Sequence, residues 1–84
     1  MVTVVISPDA ARQIEELTLT IQTRVLAVVT RLAQWPAVSG AKPLRGNLAG
    51  HFRVRTGDYR VQFHLSGDTL IVEKVGHRDG FYER

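Results

Sequence analysis

The sequence predicts an α+β fold, in which a small antiparallel sheet packs against an N-terminal helical hairpin in the order β-α-α-β-β-β. Three observations predict it: a short β-branched run opens the chain, apolar residues then recur at helical spacing, and apolar and polar residues alternate through the second half. With 84 residues, the chain is expected to form a single domain spanning residues 1–84. Hydrophobic residues make up 44% of it, which excludes an intrinsically disordered protein.

The first half of the chain is predicted to contain one strand and two helices. The strand is the run Val2–Ile6, whose β-branched residues favour extended backbone. Ser7 predicts a helix start, because its hydroxyl can cap the first turn. This helix is expected to end near Thr18, and Thr18 or Thr20 can cap a second helix that stops before the Trp-Pro step at 35–36. Because almost nothing connects the two helices, they must fold back as a hairpin.

The second half is predicted to be a loop followed by three strands. The loop covers Ala37–Gly50, and the turn sequences Thr56-Gly57-Asp58 and Ser66-Gly67-Asp68 separate the strands. The last strand runs over Thr69–Val75, and Gly76–Arg84 forms a short tail. Alternation gives this sheet one apolar face for the helices and one polar face for solvent.

Positive charge is concentrated in the second half of the chain. Residues 42–84 carry eight basic and five acidic side chains, whereas residues 1–41 carry three of each, so the whole net charge of +3 lies in the second half. With an isoelectric point of about 10.0, a concentrated basic surface indicates a polyanionic partner, most often nucleic acid. A solvated basic face or an acidic protein partner is the alternative.

Several classes of chemistry are not indicated by the sequence. The chain has no cysteine, so no disulfide, thiolate metal site or cysteine nucleophile is expected. Its three histidines lack metal-ligand spacing, so neither a metal nor another cofactor is expected. No apolar run is long enough to cross a membrane and no signal peptide is evident, which predicts a cytoplasmic protein without a membrane partner.

The predicted sheet turns a set of basic and titratable side chains towards solvent. This set comprises, in chain order, His51, Arg53, Arg55, Arg60 and His64, with His77, Arg78 and Tyr82 in the adjoining tail. Arginines bind phosphate oxygens bidentately, and histidine or tyrosine can move a proton or donate to a leaving oxygen. The pattern therefore favours binding and cleavage of a phosphodiester.

An ordered series of short motifs runs through the second half of the chain: Lys42-Pro43-Leu44-Arg45-Gly46, Phe52-Arg53-Val54-Arg55, Gly57-Asp58-Tyr59-Arg60-Val61, Val75-Gly76-His77-Arg78 and Tyr82. In this order the motifs resemble those of the RelE-type toxins of the RelE/ParE toxin–antitoxin superfamily. The resemblance covers nearly the whole chain and implies a RelE-like fold. RelE toxins are endoribonucleases that cut mRNA in the ribosomal A site and are held inactive by an antitoxin. ParE relatives share the fold but poison DNA gyrase and lack the basic-plus-tyrosine site.

The resemblance implies a role for each residue of the motifs. The expected catalytic set is Arg53, Arg55, Arg60, His77, Arg78 and Tyr82, and the expected RNA-binding set is Lys42, Arg45 and His51. Arginine cannot serve as a general base, so the acid–base role passes to His77, with Tyr82 or His51 as the other candidates. This departs from relatives that carry lysines on the strand.

The sequence thus predicts the toxin of a type II toxin–antitoxin system, a metal-independent endoribonuclease that inhibits translation. A ParE-like gyrase poison, a catalytically decayed toxin, or a plain antitoxin- or RNA-binding module are the alternatives. The expected partners are a RelB-like antitoxin, in a hetero-oligomer, and the ribosome with its mRNA. Apolar helix residues such as Leu19 and Val29 are expected to contact the antitoxin, because a small core gains from burying them.

Overall fold

A computed structural model describes residues 2–81, so the predicted site residue Tyr82 lies outside the described residues. The elements are β1 (Thr3–Ile6), α1 (Pro8–Glu15), α2 (Leu19–Arg31), β2 (Lys42–Pro43), β3 (His51–Thr56), β4 (Tyr59–Ser66), β5 (Thr69–His77) and α3 (Arg78–Phe81). Short 3₁₀ turns follow α2 at Leu32–Gln34 and precede β3 at Gly46–Leu48. No helix among residues 2–81 has the length and apolar character that a membrane crossing requires.

The sheet has five strands in the order β1-β5-β4-β3-β2. Strands β3 to β5 pair antiparallel, as predicted, and β2 adds a further antiparallel pair with β3. Strand β1 instead pairs in parallel with β5, from Thr3 opposite Thr69 to Ile6 opposite Val72. The α+β class and the β-α-α-β-β-β order are therefore confirmed, with a mixed rather than wholly antiparallel sheet and with β2 and α3 as elements that were not predicted. Side-chain alternation is the same for either strand direction, which is why the sequence pattern did not reveal the parallel pair.

The helices cover one face of the sheet and enclose the core. Ala10 and Ile14 of α1 and three valines of α2 pack against the inward side chains of the strands. Phe63 of β4 is fully buried at the centre and makes edge-on contact with Trp35 and stacks on Phe52. Because the helices occupy this face, the opposite face of the sheet is left for solvent and ligands.

A β-bulge interrupts the pairing of β4 with β5. Gln62 pairs with Lys74 but Phe63 pairs with Val72, so Glu73 is an extra residue on β5. Helix α1 satisfies backbone groups around this irregularity. Gln13 Oε1 accepts a hydrogen bond from the backbone N–H of Val75 at 2.7 Å, and Ser7 Oγ donates to the carbonyl of Glu73 at 3.5 Å.

Replacing Ser7 with alanine should destabilise the protein by about 1 kcal/mol. Its hydroxyl caps α1 by accepting from the Ala10 N–H at 3.1 Å, whereas Thr18 caps α2 over a longer 3.5 Å contact. Thermal unfolding should therefore show a larger loss for Ser7→Ala, a decrease in Tm of roughly 4–8 °C, than for Thr18→Ala. The reverse order would show that the Ser7 cap contributes little.

Candidate functional site

Three arginines lie on the solvent side of β3 and β4, as predicted, and form what we call the arginine face: Arg53, Arg55 and Arg60. Arg53 and Arg55 are two residues apart on β3, so their side chains leave the same face of the sheet, and Arg55 stands opposite Arg60 of β4. On the other side of β3, Lys42 of β2 pairs with Arg53. Four cationic residues on three neighbouring strands therefore lie close together: Lys42, Arg53, Arg55 and Arg60.

The Arg55–Arg60 pair is electrostatically unfavourable by itself. Like charges directly opposite each other on neighbouring strands repel, and within residues 2–81 neither arginine forms an ion pair with a carboxylate. Two guanidinium nitrogens of Arg60, Nε and Nη1, are buried and make no hydrogen bond to any described group. On the other side Arg60 pairs with Gly76 of β5. Such a site favours a bound anion with several oxygens.

His77 and Arg78 lie at the same end of the sheet as Arg55 and Arg60. His77 ends β5 and Arg78 begins α3, and the Arg78 backbone N–H donates to the carbonyl of Asp58, in the β3–β4 turn, at 2.7 Å. The Arg78 side chain is exposed, with its Nε 3.5 Å from Asp79 Oδ1. The backbone of Arg78 is therefore held beside the β3–β4 turn, close to the end of β5 as predicted.

The sheet register separates His77 from the arginine face. His77 pairs with Tyr59, the residue next to Arg60, and its ring contacts the Tyr59 ring edge-on with centroids 5.2 Å apart. Tyr59 packs against the core, so His77 lies on the helix side of the sheet end rather than on the outer side. Its Nδ1 accepts from the Asp79 N–H at 3.1 Å and lies 3.5 Å from Asp79 Oδ2, so Asp79 occupies this ring nitrogen and Nε2 is the one left for other partners.

The expected RNA-binding residues lie on β2, in the loop after it, and at the start of β3. Lys42 is exposed on β2, and Arg45 is exposed in the loop that follows it. His51 begins β3 on the outer face, where its imidazole is in hydrogen-bond contact with Glu73. Lys42 adjoins Arg53, whereas His51 belongs to a separate polar cluster.

This second cluster brings together side chains from three strands. His51 pairs directly with His64, and the Glu73 carboxylate contacts Nδ1 of both rings, at 3.0 Å from Nδ1 of His64. Gln62 Nε2 donates to Glu73 Oε2 at 2.9 Å. Partial burial opposes ionisation of Glu73, but the hydrogen bonds from Gln62 and His51 and the charge of the imidazoles outweigh it and hold the pKa of this carboxyl below its usual value.

Sequence reasoning missed Glu73 and gave His64 no partner. Glu73 follows His51 by 22 residues and His64 by 9, separations that match no short metal or catalytic motif. The available signal was the cross-strand pairing of the hairpin, which places position 51 opposite position 64. The bulge on β5 could not be read from the pattern.

The fold is that of a class of small toxins from type II toxin–antitoxin systems. The family model described as the ParE toxin of a type II toxin–antitoxin system (parDE) matches residues 4–80. The chain belongs to this family, within the RelE/ParE superfamily of toxins, and the resemblance seen in the sequence is confirmed.

Individual relatives agree with this assignment. Toxin RelG of Mycobacterium tuberculosis is 37% identical over 68 residues, covering 73% of this chain and 77% of RelG. The structure of the RelBE2 toxin–antitoxin complex from the same organism contains a chain that is 31% identical, with a TM-score of 0.81 over 92% of this chain and 98% of that one. The isolated RelE toxin of E. coli shares the fold, with a TM-score of 0.77 at 15% identity, covering 92% of this chain and 84% of RelE.

Proposed function

We propose that this toxin is an endoribonuclease that cuts mRNA in the ribosomal A site and so inhibits translation. The observation that carries the proposal is the opposed Arg55–Arg60 pair, with two buried Arg60 nitrogens that no described group satisfies. A phosphate group offers the oxygens that these nitrogens need, and its charge relieves the repulsion. Arg53 and Lys42 extend the positive surface along a bound strand.

The proposed reaction uses the RNA as its own nucleophile. The 2′-oxygen bonds to the adjacent phosphorus, the bond from phosphorus to the 5′-oxygen breaks, and the product ends in a 2′,3′-cyclic phosphate. The 2′-hydroxyl gives up its proton and the leaving 5′-oxygen gains one, so no metal or cofactor is required. Arg60 and Arg78 bind the scissile phosphate, while Arg53 and Arg55 hold the flanking backbone and neutralise developing charge.

Proton transfer is assigned to His77, with Tyr82 orienting the base or the leaving oxygen. His77 is 41% exposed and has Nε2 available, since Nδ1 is used by Asp79. Because His77 and Arg60 lie on opposite faces, a substrate that reaches both must cross the sheet end at the β3–β4 turn. Arg78, held to Asp58 at this turn, stands beside that crossing.

The direct experiment is mRNA cleavage by the purified chain in a reconstituted translation system. Primer extension on a reporter mRNA should show ribosome-dependent cuts, and the 5′ fragments should end in a cyclic phosphate. Cleavage should persist when the purified toxin is treated with EDTA and the chelator is removed before intact ribosomal complexes are added. Absence of any cut, or cleavage lost after EDTA treatment of the toxin alone, would refute the proposal.

A DNA gyrase poison is the second candidate, and the match to the ParE toxin family model is the observation that favours it. This candidate does not need the arginine face. A gyrase supercoiling assay run beside the cleavage assay separates the two functions. Inhibition of supercoiling without mRNA cleavage would establish the second function in place of the first.

The proposed partner is an antitoxin that covers α2. Relatives of this chain occur in RelB–RelE antitoxin–toxin complexes. On α2, Leu19 and Leu26 lie two helical turns apart and are 74% and 42% exposed, which supports a partner that buries them. Val29, expected beside Leu19 on this surface, is instead only 6% exposed and belongs to the core. Its place in the helix turns it towards the sheet.

Replacing Leu19 with alanine should weaken antitoxin binding by roughly 10-fold, because a leucine removed from an interface loses about 1.5 kcal/mol or more of burial. Stability should hardly change, since this side chain is exposed. Calorimetric titration of the cognate antitoxin measures the affinity. The proposal would be contradicted if Arg55→Ala lost affinity for the antitoxin while Leu19→Ala bound it as tightly as the unmodified chain. That result would show that the antitoxin contacts the arginine face and not α2.

A further inference from the structure

The cluster of His51, His64 and Glu73 on the outer face of the sheet has the features of a metal site. Its three side chains come from three adjacent strands, β3, β4 and β5, so the sheet rather than a mobile loop fixes their positions. One ligand atom from each residue lies within 4.8 Å of the other two. Sites built on strands hold their groups more closely than sites built on loops.

Two structural devices create this convergence. The direct pairing of His51 with His64 places the two imidazoles side by side, with ring centroids 5.1 Å apart. The bulge on β5 then adds an extra residue at this point, so that Glu73 and Lys74 both lie outside the core between the buried Val72 and Val75. Bulges commonly re-aim a side chain in this way next to functional sites.

The ligand atoms already face one another. Both imidazoles direct Nδ1 at the same carboxylate, one to each oxygen of Glu73. One imidazole would be enough to form an ion pair with this carboxylate. The second imidazole brings the number of converging potential metal ligands to three. Gln62 donates to Glu73 Oε2 and orients the carboxylate, as outer partners of metal ligands do.

The exposure of the cluster leaves room for a further ligand. The side chains of His51, His64 and Glu73 are 28%, 31% and 21% exposed, so the site is neither sealed nor fully solvated. Two nitrogens and one carboxylate suit Zn²⁺, which takes such ligands at about 2.0–2.2 Å and commonly binds water in the fourth position. Mg²⁺ prefers an all-oxygen environment and fits this set poorly.

We propose that His51, His64 and Glu73 bind one Zn²⁺ ion, through one nitrogen of each imidazole and the Glu73 carboxylate. The site is distinct from the arginine face, and cleavage needs no metal in the function proposed above. The metal site therefore stands or fails independently of that function.

The test is Zn²⁺ binding to the untagged full chain after treatment with a chelator. Calorimetry and native mass spectrometry should show one Zn²⁺ per chain with a dissociation constant in the micromolar range or below. Thermal unfolding should move to higher temperature with added Zn²⁺ but not with Mg²⁺. Cobalt(II), used as a spectroscopic probe, should give the visible absorption of a four-coordinate ion and be displaced by Zn²⁺.

Variants decide which residues bind the ion. Glu73→Gln keeps the shape of the side chain and His64→Gln removes one imidazole, and each should weaken Zn²⁺ binding by at least about 100-fold. His77→Gln, which removes a histidine outside the cluster, should bind Zn²⁺ as the unmodified chain does. Circular dichroism checks the fold of each variant. No stoichiometric binding to the unmodified chain, or equal binding in Glu73→Gln and folded His64→Gln, would overturn the proposal.

Discussion

Replacing Arg60 with alanine should lower the rate of mRNA cleavage by about 10²–10³-fold. The guanidinium faces Arg55 across the hairpin, and its buried Nε and Nη1 are the donors that we assign to the scissile phosphate. The loss should appear in the single-turnover cleavage rate in the reconstituted translation system. Relief of growth arrest on induced expression should accompany it.

Arg31→Ala is the matched control, because it removes the same charge from an exposed position on α2. It should cleave mRNA at the unmodified rate. Arg60→Lys should fall between the two, since lysine keeps the charge but cannot bind phosphate with a planar fork. Unimpaired cleavage by Arg60→Ala, or a loss that merely follows unfolding in a thermal melt, would remove Arg60 from the reaction.

Replacing His77 with alanine should lower cleavage by about 10²–10⁴-fold, the usual contribution of a general acid or base. The chemical step should slow while binding to the ribosome stays unchanged, because the positive surface remains intact. A pH–rate profile adds a readout that a purely structural role would not alter. The limb of the profile that depends on the imidazole should disappear in the variant.

Stability must be followed in the same variant, since the His77 ring contacts Tyr59. His77→Gln retains a polar side chain of similar reach and should be equally slow if the imidazole transfers the proton. Full activity in either variant would remove His77 from proton transfer and leave Tyr82 and His51 as the candidates. The test of His77 matters because this residue and Arg60 lie on opposite faces of the sheet.

The sequence predicted most of the fold because its local signals were consistent with one another. Ser7 and Thr18 do cap the two helices, and the Gly57 and Gly67 turns do join three antiparallel strands. The two-residue strand β2 within the predicted loop was missed, because two residues carry no periodicity. Helix α1 ends at Glu15 rather than near Thr18, because Thr18 must be extended to cap α2 and the chain has to leave the helical conformation before it.

The candidate site was predictable in part. Alternation correctly placed Arg53, Arg55 and Arg60 on one face, since that property depends only on strand period. The face of His77 was not predictable, because the bulge at Glu73 changes which later residues of β5 point outwards. The same bulge completes the His51–His64–Glu73 cluster, so strand pairing could have predicted the two opposed histidines but not the position of Glu73.

The position of β5 in the sheet affects when the toxin can fold during its synthesis. This strand lies between β1 and β4 in the sheet, although it is the last strand of the sheet to be synthesised. The hydrogen bond from Ser7 to Glu73 joins residues 66 positions apart, so β1 and α1 must wait for β5 before they can dock. Contacts of such long range form late, because the entropy of closing the chain must be overcome first. A nascent chain that lacks β5 should therefore have neither a closed core nor an assembled site, and toxicity should begin only after synthesis has passed this strand.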